Sequence, residues 1–148
     1  MARRPRGGDQ LLDDIRALKD VGVGVIVSLL TAEEMRDLDL VEEPGCCQRL
    51  DVEFISVPIP DFGVPSDSSS FMKAVEDVTK YLERGTSVAV HCRQSIGRSG
   101  LLICGALLRL GLSLEQAIAT VSAARGVTVP ESPEQKRWLE ANARELAS

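Results

Sequence analysis

The residues most able to do chemistry lie in one run, His91-Cys92-Arg93-Gln94-Ser95-Ile96-Gly97-Arg98-Ser99-Gly100. A short apolar run, Val88-Ala89-Val90, precedes it and an apolar helical pattern follows it, so Cys92 ends a strand and Ser99 opens a helix. Backbone N–H groups of a tight loop and of a helix N-terminus form a nest for an anion. Arg98 can add a planar fork to two oxygens of a phosphate. Cys92 beneath that anion would be a nucleophile. A nucleophilic cysteine must be a thiolate, and an ordinary thiol, with a pKa near 8.5, is mostly protonated at neutral pH. A helix dipole contributes only about 0.3–2 kcal/mol. Loop N–H donors, Arg98 and the Ser99 hydroxyl must then supply the remaining stabilisation. His91, the chain's one histidine, suits an orienting hydrogen-bond group better than a base. A lone cysteine at a strand end is usually a small buried hydrophobe; the fixed offsets to Gly97, Arg98 and Ser99 favour chemistry here.

The rest of the composition narrows the choice. One histidine excludes a multi-histidine metal or haem site. The four cysteines, Cys46, Cys47, Cys92 and Cys104, lack paired C-x-x-C spacing. Neither a metal nor another cofactor is expected. The net charge of −5 argues against a nucleic-acid partner, and the Arg3, Arg4, Arg6 cluster reads as a solvated basic arm over residues 1–8. No apolar stretch reaches the roughly 18 residues of a membrane span, so no membrane partner is expected. Cys46-Cys47 could supply a resolving thiol, but an incidental loop pair is the preferred reading, and Cys104 reads as core. The expectation is a cytoplasmic protein with reduced thiols.

Positioning the loop requires elements, and the chain alternates them. Asp9–Asp20 has helical periodicity closed by Gly22. Val23–Leu30 and Glu53–Ile59 read as strands. Thr31-Ala-Glu-Glu34, Ser113-Leu-Glu-Gln116 and Ser132-Pro133-Glu134-Gln135 are capping boxes that open helices. A helix is predicted from about Ser69 to Arg84, a strand over Ser87–His91, and a nearly all-apolar helix from Arg98 to Leu110. Strands separated by helices predict an α/β fold, a mainly parallel central sheet flanked by helices. Ligands belong at the carboxyl ends of such strands, where the Cys92 loop lies. With 148 residues the chain suits one domain, and its core must be aliphatic, because it has only one Trp, one Tyr and three Phe.

The run His91–Ser99 resembles the HCxxGxxR(S/T) signature of cysteine-dependent protein tyrosine phosphatases. Pro58-Ile59-Pro60-Asp61-Phe62 resembles the general-acid loop of the small atypical dual-specificity phosphatases, with the VHZ type as the nearest pattern. Taken alone, Asp61 would be an ordinary turn aspartate. The resemblance covers nearly the whole chain and implies a dual-specificity phosphatase fold over residues 1–148, a single catalytic domain. It implies a metal-independent protein phosphatase that hydrolyses phosphotyrosine, with phosphoserine and phosphothreonine also open, through a phosphocysteine. In that reading Cys92 is the nucleophile and Arg98 binds phosphate within the loop Arg93, Gln94, Ser95, Ile96, Gly97. Asp61 is the acid and then the base, and Ser99 stabilises the leaving thiolate. His91, Glu131 and Gln135 are supporting residues, the last first of all a cap. Partners would be a phosphorylated protein or aryl phosphate, with phosphate, sulfate or vanadate held in the loop, and a monomer is expected. One departure stands out: the family usually has glycine where this chain has Ser95. If φ is positive there, the cost is ~1–2 kcal/mol. The alternative to an enzyme is a weakened phosphatase or a phosphate-binding pseudophosphatase.

Overall fold

The protein is described by a computed structural model over residues 3–148. A 3₁₀ turn at Gly8–Gln10 leads into α1 (Leu11–Asp20), followed by β1 (Val23–Ser28), α2 (Ala32–Asp37), α3 (Glu43–Arg49) and β2 (Glu53–Ser56). Then come α4 (Ser68–Glu83), β3 (Ser87–His91), α5 (Gly97–Arg109), α6 (Leu114–Arg125) and α7 (Pro133–Ala147). The sheet runs β2-β1-β3, with both pairings parallel. The expected α/β architecture is therefore the observed one.

Alternation along β1 divides the interior. Val25, Val27 and Leu29 face a cluster shared with Phe71, Val75, Leu101, Leu102 and Leu139 of α4, α5 and α7. Ile26 faces the other side, with Leu11 and Ile15 of α1 and Cys47 of α3. Burial on both faces explains why β1 reads as a continuous apolar run. Phe71 and Trp138 meet edge-on, centroids 5.0 Å apart, and join α4 to α7.

Two boundaries differ from the sequence expectation. Regular pairing stops at Ser28 and Ser56, but single bonds continue it: Ile59 N–H donates to Leu29 O at 3.1 Å and Leu29 N–H to His91 O at 3.0 Å. Helix α3 was not foreseen, because Pro44 and Gly45 stand in its first turn, where proline is tolerated and where both residues read as loop. All three predicted capping boxes form, at Thr31, Ser113 and Ser132. The basic arm is not simply solvated. Pro5 is buried, Gly8 N–H donates to Asp39 O at 3.1 Å, and Arg6 forms a two-pronged contact with Asp14. No helix among the described residues is long and apolar enough to cross a membrane.

Candidate active site

β3 ends at His91, and Cys92 follows in a loop that turns directly into α5. Cys92 is 3% exposed, at the carboxyl edge of the sheet. The helix begins after Ile96 without a side-chain cap, which leaves its first N–H groups turned to the loop. Gly97 and Gly100 let neighbours close on this turn. A Cβ on Gly97 would come within 2.5 Å of Glu131 Oε1 and 2.8 Å of Gln135 Oε1, and one on Gly100 would overlap Val129 Cγ1. Ser95 has φ +57° and is 2% exposed, so the position that the departure from glycine put in question is indeed left-handed.

Arg98 is the best-held side chain of the site, 1% exposed. Its Nη1 donates to Glu34 Oε1 at 2.6 Å and to Ile59 O at 2.8 Å; its Nη2 donates to Glu34 Oε2 at 2.9 Å. Nη2 also donates to Asp61 Oδ1 at 3.0 Å. The guanidinium thus ties α5 to α2, to the end of β2 and to the acid loop. Burial works against the charge on Arg98, but the hydrogen bonds and charge of Glu34, with the Cys92 and Asp61 charges, raise its pKa overall. Burial likewise opposes ionisation of Glu34, and Arg98 and the Thr31 N–H outweigh it, so Glu34 lies below the usual carboxylate range.

Asp61 projects from a tight turn in which Gly63 N–H donates to Pro60 O at 2.9 Å. Its Oδ1 also accepts from Phe62 N–H at 3.1 Å. Phe62, next in sequence to the acid, has φ +59° and is 57% exposed. Gln135 caps α7 through Ser132, and its Nε2 donates to Gly63 O at 3.1 Å, which fastens α7 to the acid loop. Glu131 is raised above the usual carboxylate range, first by desolvation and then by the Asp61 charge, with Arg98 opposing. The structure therefore brings Cys92, Arg98, Asp61, Glu131 and Gln135 to one place.

A model of Tc-R-P, the DSP-PTPase phosphatase of polymorphic toxin systems, matches residues 1–112. The chain belongs to that family. It is a small dual-specificity phosphatase of the protein tyrosine phosphatase superfamily. Solved structures agree in fold. Kinase associated phosphatase (KAP), with its catalytic cysteine replaced by serine, superimposes with a TM-score of 0.86 at 24% identity, over 99% of this chain and 86% of that one. Tk-PTP in its active form gives 0.76 at 27%, over 99% and 88%. Human DUSP28 gives 0.71 at 22%, over 99% and 90%.

Within this dual-specificity phosphatase, two expected contacts take a different form. The Ser99 hydroxyl is fully buried but meets no hydrogen-bond partner among the described residues, Cys92 included. His91 points away from the loop: its Nε2 lies 2.8 Å from Glu43 Oε2, both groups buried, and pins β3 to α3. Two residues escaped the sequence reading. Glu34 was read as a capping-box residue, which it is, since Oε1 accepts from Thr31 N–H at 3.1 Å; the same carboxylate clamps Arg98. Glu43 lies in the unforeseen α3. Burial pushes the Cys47 and Cys104 thiols up to about 12, and Cys47 packs in the cluster opposite Cys92, so neither is suited to a resolving role.

Proposed function

We propose that this phosphatase hydrolyses aryl phosphate monoesters, phosphotyrosine first, through a phosphocysteine on Cys92 and without metal. The observation that carries the reading is the 3.0 Å contact between Arg98 Nη2 and Asp61 Oδ1 above the Cys92 loop. Glu34 occupies the Nη1/Nη2 end of the guanidinium, so the Nε/Nη2 edge is the one that meets phosphate oxygens. Substrate phosphate displaces Asp61 from that edge and leaves the carboxyl beside the ester oxygen. Cys92 Sγ attacks phosphorus in line. The P–O bond to the leaving group breaks as Asp61 delivers its proton to that oxygen. Water then attacks phosphorus as Asp61 takes its proton; the S–P bond breaks, Cys92 is left as the thiolate, and inorganic phosphate is released. In this reading the buried Ser99 hydroxyl, which has no other partner among the described residues, turns to donate to that thiolate. In this reading Glu131 and Gln135, whose side chains face Gly97 at the start of α5, flank the attacking water. Exposed Phe62 offers an apolar face to an aryl group, which supports phosphotyrosine over alkyl esters.

The nucleophile must stay reduced, so the proposed site of action is a reducing compartment such as the cytoplasm. The pseudophosphatase reading rests on left-handed Ser95 alone, and a binding module has no use for both a nucleophile and an acid. The test is hydrolysis of para-nitrophenyl phosphate with chelator present. Activity should persist in the chelated wild type, vanish in Cys92→Ser and fall about 10²-fold or more in Asp61→Ala. Undiminished hydrolysis by Cys92→Ser refutes the mechanism.

A further inference from the structure

Beside the Cys92 loop the surface dips into a recess of about 350 Å³ lined by Arg3, Arg4, Arg93, Gln94, Ser95 and Arg125. Four arginines line it in a chain whose net charge is −5. Two carboxylates come near them among the described residues, and both are committed elsewhere: Glu34 Oε2 lies 3.8 Å from Arg93 Nη1 but pairs with Arg98, and Asp14, which lines an adjoining recess with Arg3 and Arg4, pairs with Arg6. No carboxylate among the described residues pairs with Arg3, Arg4 or Arg125. Two of the arginines are fixed by the loop itself. Arg4 Nη1 donates to Arg93 O at 3.2 Å and Arg125 Nη2 to Gln94 O at 3.5 Å. Each such contact engages one N–H of a five-donor fork. The arm is held in place by buried Pro5 and by the Arg6–Asp14 pair.

Like charges gathered with no carboxylate of their own repel one another, and a bound anion relieves that repulsion. The recess shares Arg93, Gln94 and Ser95 with the phosphate loop, so an anion in it sits next to the reacting phosphate. We infer that the Arg3/Arg4/Arg93/Arg125 recess binds a second phosphate of the substrate, and that the preferred small substrates are compact phosphate monoesters bearing two phosphates. This inference rests on the phosphatase reading of the neighbouring loop. A free sugar-like bisphosphate and a lipid headgroup present the same chemistry.

The experiment measures binding without turnover. Cys92→Ser protein is titrated calorimetrically with a hexose bisphosphate, with the matching monophosphate, and with phosphatidylcholine vesicles with and without a bisphosphorylated inositol lipid. The bisphosphate should bind at least about tenfold more tightly than the monophosphate, as one added set of charge-assisted hydrogen bonds provides. Arg4→Gln/Arg125→Gln should shrink that ratio to about twofold or less, and Arg4→Lys/Arg125→Lys should restore part of it because the charge returns. In otherwise wild-type protein the Gln pair should leave para-nitrophenyl phosphate hydrolysis within about twofold, which also reports an intact fold. Preference in the soluble arm assigns a free ligand; preference for bisphosphate vesicles alone assigns a lipid headgroup. Equal binding of bisphosphate and monophosphate in both arms, or a preference that survives Arg4→Gln/Arg125→Gln, overturns the inference. Bisphosphate preference in a protein that hydrolyses nothing strikes the catalytic reading and leaves the recess standing.

Discussion

Arg98 carries a full charge at 1% exposure, and such a charge is tolerated only when it is paired and hydrogen-bonded. Glu34 does the pairing with both oxygens. Glu34→Gln leaves the guanidinium short of its counter-charge and should cost about 3–5 kcal/mol in urea unfolding at neutral pH. The sign with pH follows from the lowered pKa of Glu34. Its contribution is complete above the ordinary carboxylate range and is lost as pH falls through the depressed folded value. The gap between wild type and Glu34→Gln should therefore close in acid; a constant gap, or none at pH 7, contradicts the clamp. Ser95 poses a different question. Its left-handed backbone costs ~1–2 kcal/mol, which glycine would relieve while losing roughly 0.5–1 kcal/mol in chain entropy. Ser95→Gly should leave stability within about 1 kcal/mol and raise kcat/KM on an aryl phosphate, because the buried side chain no longer constrains the anion nest. Equal kcat/KM values contradict that.

At the level of elements, α5 delivers Arg98, and it can approach Val129 only because Gly100 lacks a Cβ. Gly100→Ala should cost about 1–3 kcal/mol by overpacking. Combined with Val129→Ala it should cost less than the sum of the two single changes, since the second opens the space that the first needs. Strict additivity in thermal unfolding would show that the contact does not limit packing. The sequence made α5, β3 and the three capped helices legible, because hydrophobic period and caps are local signals. It exposed Cys92, Arg98 and Asp61 as well, since the loop is contiguous and the proline-rich turn is distinctive. It hid α3 behind Pro44 and Gly45. It hid the second role of Glu34 because a capping box already accounted for the residue. A long-range contact such as Glu34 to Arg98 leaves no local periodicity, and neither does the His91–Glu43 pair that crosses from β3 to α3.

For the whole molecule, the net charge of −5 describes the average surface and not the site. Buried Arg98, the uncapped start of α5 and the arginine-lined recess gather anion-binding donors at one end of the sheet. Oxyanions should therefore stabilise the folded state. Vanadate at about 100 times its dissociation constant should add ~2.7 kcal/mol, seen as a rise in Tm. Arg98→Lys, which cannot make the fork, should lose most of that rise, and an equal rise in the variant would contradict a role for Arg98 in holding the anion. The central claim concerns one covalent bond, between Cys92 Sγ and phosphorus. It is tested most directly by rapid acid quench of Asp61→Asn during turnover of para-nitrophenyl phosphate, with peptide mass mapping. That substrate needs little acid help in the first step, so the intermediate should accumulate. The expected result is a phosphoryl group on the peptide containing Cys92, absent from Cys92→Ser. Turnover with no adduct, or an adduct on any other residue, would contradict the mechanism.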